Sequence, residues 1–199
     1  MDAQNNDKHY TYSDYCKWDD DKRYELIEGI VYVMSPAPYQ AHQMIIGRLF
    51  RKISDYLDDK PFHIFMAPFD VRLNADSGDD TVVQPDLMVI CDCSKLDGKA
   101  CVGAPDVVIE VLSKSTARYD RLDKFRLYEK AGVKEYLIVD NDDLTIHAHI
   151  LENGRYYTQV YGDGDELRMH VLEGCAIILS DVFVTVGDGT KPLKNAVNP

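Results

Sequence analysis

Three ionisable side chains stand where apolar packing would be easier: Asp86 in "QPDLMVI", Glu110 in "DVVIEVLSKST" and Lys124 in "YDRLDKFRLYEKAG". A lone ionised carboxylate inside a buried strand costs several kcal/mol unless something pairs with it. Alternation along 107–112 puts Val107, Ile109 and Val111 on one face and Val108, Glu110 and Leu112 on the other. Glu110 alone therefore interrupts an apolar strand. If the Asp86 strand is its neighbour, two carboxylates lie side by side. Two close carboxylates repel, and one takes up a proton unless a cation sits between them. A hard divalent ion such as Mg2+ or Mn2+ resolves that repulsion and retains waters that can act as nucleophiles. Lys124 sits on a helix whose same-face neighbours are Asp120, Leu127, Tyr128 and Ala131.

Each residue also has a plainer reading. Asp86 after Pro85 suits a strand entry or a turn. Glu110 suits a structural ion pair with Lys124 or an arginine. Lys124 suits a pair with Asp120, four residues before it.

The elements that must position these residues are readable from periodicity. Tyr24–Ile27 and Ile30–Met34 flank Glu28-Gly29 and read as a hairpin. In "AHQMIIGRLFRKISDYL", Ile45, Ile46, Leu49, Phe50, Ile53 and Leu57 recur at helical spacing. "YTYSDYCKW" reads as a short helix capped by Ser13, and "HIFMAPFDVRLN" as one strand before the polar loop "ADSGDD". "VVQPDLMVICD" and "PDVVIEVLSKS" read as central strands. A helix ending at Gly132 and the strand "VKEYLIVD" follow, which suggests a crossover inside a mixed sheet. "LTIHAHILENGRYYTQVY" carries an Asn-Gly hairpin signal, and two more strand-like pieces lie near 167–172 and 176–179. The fold class expected is α/β (α+β): one domain over 1–199, a mixed core sheet flanked by helices over about 10–140, an antiparallel β extension over about 144–185, and a disordered tail at 187–199.

The formal net charge of -12 argues against a general nucleic-acid binder. The charge is uneven, however. From 114 to 134 there are seven Lys or Arg against three acids, either a solvated helix face or a patch that meets an anion. No apolar run is long enough to span a bilayer, and no signal peptide is visible, so a cytoplasmic location without membrane contact is expected. The five cysteines lack metal-site spacing and read as reduced thiols.

Pro-Asp followed by a strand bearing Glu resembles the PD-(D/E)XK, or restriction-endonuclease-like, superfamily. Leu112 stands where that motif carries lysine, but some branches move the lysine to the next helix, where Lys124 lies. The longer pieces "RYELIEG", "YVMSPAP..AHQ", "VQPDLMVI" and "APDVVIEVLSKSTARYDRLDKFRLYEKAGVKEYLIVD" are similar to a bacterial family of restriction-type endonucleases expanded in cyanobacteria. That resemblance implies a restriction-endonuclease-like core, a divalent metal (Mg2+ or Mn2+) and often a homodimer; it supplies no demonstrated substrate, and DNA is the expected one. It makes Asp86 and Glu110 metal ligands, with a backbone carbonyl from Val111. Lys124 would hold the attacking water or the scissile phosphate. Glu25 or Glu28 would approach the same site, and Asp120 would orient Lys124. His42 opens the long helix in a family-like context, and Ser113 with Thr116 would cap the second helix. Three functions follow in order: metal-dependent DNA hydrolysis, an inactive nucleic-acid-binding or assembly module on the same fold, and hydrolysis of a small phosphoester.

Overall fold

The structure, a computed structural model, describes residues 8–34, 40–113 and 116–184. The expected tail and Lys114 lie outside those residues.

The first helix, α1 (Tyr12–Tyr15), is preceded by Thr11, whose N–H and hydroxyl both donate to the Asp14 carboxylate at 3.2 Å. Ser13, expected as its cap, lies inside the helix. The hairpin β1 (Tyr24–Ile27) and β2 (Ile30–Val33) turns through Glu28 and Gly29 at φ 48° and 78°. Helix α2 (Gln40–Leu57) buries Ile45, Ile46, Leu49, Ile53 and Leu57, the stripe its spacing implied.

The stretch read as one strand over 63–74 is two. β3 (His63–Met66) and β4 (Asp70–Arg72) belong to different sheets. Pro68 between them has no N–H to give a ladder, so pairing stops there. The next stretch divides the same way around Pro85, into β5 (Val82–Val83) and β6 (Leu87–Ile90). The two crossings touch: Ala67 N–H donates to the Asp86 carbonyl at 3.1 Å. Asp86 thus sits at the seam between sheets.

The chain continues through β7 (Ala100–Val102) and β8 (Val107–Val111) into one helical rod. The rod comprises α3 (Ala117–Tyr119), a π-helical stretch (Asp120–Lys124) and α4 (Phe125–Ala131). Gly132, at φ 87°, closes it in the left-handed region. Then come β9 (Glu135–Asp140), β10 (Thr145–Glu152), β11 (Arg155–Gly162), β12 (Glu166–Arg168) and β13 (Ala176–Ile178).

The main sheet runs β11-β10-β9-β8-β6-β3. It is mixed: β8 and β9, joined by the rod, are parallel, and the other pairs are antiparallel. A second sheet, β2-β1-β5-β4-β7, and the pair β12-β13 complete the fold. The β10–β11 hairpin extends the main sheet as expected. Leu87, Val107, Ile109, Val111 and Leu137 form a core with α2 on one face. Met88, Val108, Tyr136 and Ile138 pack on the other face with Tyr128 and with Val71 and Val83 of the second sheet. Glu110 belongs to this second face by alternation, so its carboxylate lies between the main sheet, the rod and β1.

Candidate active site

β6 and β8 pair Leu87 with Ile109, and one step further along that register brings Asp86 opposite Glu110. The carboxylates reach across to each other's strands. Asp86 Oδ2 accepts the Val111 N–H at 2.9 Å, and Glu110 Oε2 lies 3.4 Å from the Asp86 nitrogen. Val111 thus enters the site through its own N–H. On the other side of Asp86, His42 Nε2 from α2 stands 3.2 Å from Oδ2. His42 Nδ1 is buried and has no hydrogen-bond partner among the described residues.

Lys124 lies beneath this pair. Its Nζ is 2.6 Å from Glu110 Oε1, 3.1 Å from Glu25 Oε1 and 3.9 Å from Asp120 Oδ1. The π-helical stretch turns both Asp120 and Lys124 inward, each 3% exposed. Such stretches recur at functional sites because the wider turn re-aims side chains. Tyr128 donates to Glu110 Oε1 at 3.1 Å, Tyr119 to Glu25 Oε2 at 3.3 Å, and the Gln84 N–H to Glu25 Oε1 at 3.0 Å. The sequence places Tyr128 on the Lys124 face of its helix but signals none of these three contacts. A tyrosine on an apolar helix face reads as core, and a backbone N–H leaves no signal in the residue type.

The ion pair between Glu110 and Lys124, one of the plainer readings, is therefore present, but it sits inside a larger cluster. Three buried carboxylates (Glu25, Glu110 and Asp120) face one ammonium, and the half-buried Asp86 stands beside Glu110, a formal excess of three negative charges. Burial raises the Glu110 carboxyl well above its usual range; Lys124 opposes that rise, while Asp86, Asp120 and Glu25 add to it. Burial likewise pushes Asp120 up to about 6, against Lys124. Burial alone would lower Lys124, but Glu110 and Glu25 outweigh it and hold the amine well above its ordinary value. Lys124 is consequently a fixed cation and not a proton acceptor.

Glu28 is not part of this cluster: it lies exposed at the hairpin turn, 2.7 Å from Lys130 Nζ. The Ser113 hydroxyl is 2.9 Å from that of Thr116, and its carbonyl accepts the Thr116 and Ala117 N–H groups at 3.1 and 3.0 Å. Thr116 precedes the rod, but its side chain makes no cap bond. Thr116 also lowers the Asp120 carboxyl, against the effect of burial. The second Pro-Asp has a different fate. Asp106 is buried at the far end of β8, where it accepts the Cys91 N–H at 2.8 Å and meets Lys134 Nζ at 2.7 Å.

A cavity of about 570 Å³ opens beside the cluster, at the carboxyl ends of the parallel strands β8 and β9. His42, Val111, Ser113 and Asp140 help line it. That is where ligands enter open α/β sheets. Among the described residues no three His, Cys, Asp or Glu side chains are grouped to hold a metal ion. The donor chemistry nevertheless fits Mg2+ or Mn2+, which take one or two carboxylates and fill the remaining positions with water and phosphate oxygen. Asp86 and Glu110 are the residues that would supply that pair.

A mixed sheet flanked by helices, with acidic side chains at the seam beside the parallel strands, defines a restriction-endonuclease-like α/β fold. The chain belongs to the Uma2 family, described as "Putative restriction endonuclease", whose family model matches residues 11–180. It is 28% identical over 160 residues to the uncharacterized protein slr1290 of Synechocystis sp. (strain ATCC 27184 / PCC 6803 / Kazusa), covering 78% of this chain and 82% of that one. A second protein of the same strain, the uncharacterized protein sll1609, is 26% identical over 155 residues, covering 75% and 85%. The crystal structure of a "putative nuclease belonging to DUF820" from Anabaena variabilis ATCC 29413 superposes with a TM-score of 0.70 at 18% identity, covering 87% of this chain and 97% of that one. No helix among the described residues is long and apolar enough to cross a membrane.

Proposed function

We propose that the protein is a divalent-metal-dependent endonuclease that hydrolyses DNA phosphodiester bonds. The observation that carries this reading is the buried excess of carboxylate over ammonium at the seam beside the 570 Å³ cavity. A bound Mg2+ or Mn2+ supplies a water of lowered pKa and charge neutralisation at the phosphate. Asp86 and Glu110 would hold it. His42 and the Val111 N–H fix the Asp86 carboxylate. Lys124 opposes protonation of Glu110 and adds fixed positive charge behind the carboxylates, toward the point where negative charge grows on the phosphate. Glu25 and Asp120 hold the Lys124 ammonium in place from either side. Leu112, at the usual lysine position, packs with the core of the second face, so Lys124 supplies the amine.

The test is incubation with supercoiled, linear and single-stranded DNA in Mg2+ or Mn2+, beside Asp86→Ala. Cleavage by the native chain, lost in the variant and in chelator, is expected. No cleavage of any DNA, or equal cleavage by the variant, overturns the reading. A module without turnover is the second reading, favoured by the burial of Lys124 beneath Glu110 and Glu25 and by the charge of -12. Hydrolysis of a small aryl phosphodiester in the same screen separates the third. The homodimer implied by the resemblance would show in solution as twice the 22.7 kDa chain mass.

A further inference from the structure

A second cavity, of about 320 Å³, is lined by the rod together with β9 and β10. Its polar lining is Arg121, Arg126, His147 and His149, and no carboxylate lines it. In a chain of net charge -12 that lining is exceptional. Leu122, 46% exposed, with Phe125 and Ile138 forms an apolar wall. Arg126 is exposed and has no ion-pair or hydrogen-bond partner among the described residues. Arg121 ion-pairs with Asp140, which lines the first cavity, so the two cavities adjoin through that pair. Of the acids nearby, Asp140 meets Arg121 and, with Asp143, acts on His147, while Glu129 turns away to Arg155 and the Tyr156 N–H. The locally basic stretch of sequence thus presents at this cavity one unpaired arginine fork, that of Arg126, suited to a doubly bonded anion, and a second, Arg121, held by Asp140. The apolar wall suits the sugar and base attached to such an anion.

We propose that this second cavity is a phosphate subsite for the nucleic-acid strand that leads into the first. Arg126 makes the contact, Arg121 supports it and His147 lines the cavity beside them, while His149 is buried, its Nδ1 2.8 Å from the Thr158 hydroxyl and its ring packed on Phe125. The inference rests on the nuclease reading for its substrate but not for its test.

That test is binding without turnover, in chelator. A short fluorescent single-stranded DNA is titrated by anisotropy, and a deoxynucleoside monophosphate by calorimetry. Arg126→Glu is compared with Lys130→Glu, an equal charge change at an exposed lysine on the same rod that pairs with Glu28. Arg126→Glu is expected to weaken DNA binding by roughly tenfold or more, the scale of one charge-assisted contact, with Lys130→Glu near the native value. Thermal melting checks that both variants fold. Equal DNA binding by the native chain and Arg126→Glu overturns the proposal. So does an equal loss in Lys130→Glu, which would mark a general charge effect, and so does a native chain that binds neither probe. Binding of the monophosphate that Arg126→Glu abolishes, with no DNA cleaved in any metal, leaves the subsite standing and removes the nuclease reading. Binding of the strand but not of the monophosphate identifies the polymer as the source of the phosphate.

Discussion

Lys124 is a buried cation shared by three carboxylates, and its removal exposes what it holds together. In Lys124→Met the Glu110 and Glu25 charges lose their partner inside the protein. Breaking a buried pair from one side costs about 3–5 kcal/mol, or roughly 10 °C in melting temperature for a chain of this size. Adding Glu110→Gln removes the orphaned charge, so the double variant should melt above Lys124→Met alone. A double variant no more stable than the single one would show that the pair is not coupled. Asp120 gives a test in pH. Its carboxyl rises from 3.8 to about 6 on folding, mainly through burial, so the folded chain keeps a proton that the unfolded chain has lost. The resulting stability is complete below about 3.8 and is lost as pH rises through about 6. Between those values, without metal, the native chain should lose on the order of 2 kcal/mol relative to Asp120→Asn in urea unfolding. Parallel pH curves for the two proteins would contradict this. Asp86, Glu110 and Lys124 were legible in the sequence because each breaks a local rule. Glu25 was legible only through the resemblance, because nothing in "RYELIEG" says that its side chain is fully buried.

At the scale of elements, α2 and the two hairpins follow their sequence signals because local periodicity and turn chemistry decide them. The Asn153-Gly154 turn, at φ 51° and 77°, is one such case. The division of 63–74 between two sheets did not follow. Hydrophobic pattern reports that a segment is extended, while the partner of each half is chosen by distant strands. The π-helical stretch was hidden for a related reason. "DRLDK" has ordinary helical composition, and the wider turn is imposed by what Asp120 and Lys124 must reach. The rod ends where the sequence says, at Gly132. A methyl group there meets no atom within 4 Å, so the change to Ala tests backbone strain alone. Gly132→Ala should cost about 1 kcal/mol and lower the melting temperature by roughly 2–4 °C, leaving metal binding intact. An unchanged melting temperature would contradict the left-handed closure.

The whole molecule places a small second sheet over one face of the main sheet and α2 over the other. β4, β5 and β7 are two or three residues long, too short to carry a periodic signal, which is why this sheet was not legible. Yet it supplies Glu25 and, at its seam with the main sheet, Asp86. The site is thus a property of the assembled layers: β1, the seam, β8 and the rod each bring part of it. The central claim is that Asp86 and Glu110 hold a divalent ion against the surplus of buried carboxylate. Calorimetric titration of Mn2+ into the DNA-free protein near pH 7 measures this directly. The expected result is a saturable site, weakened at least 10–100-fold in both Asp86→Ala and Glu110→Gln, since loss even of outer-shell partners weakens metal sites on that scale. Absence of binding to the native chain, or equal affinity in both variants, would contradict it.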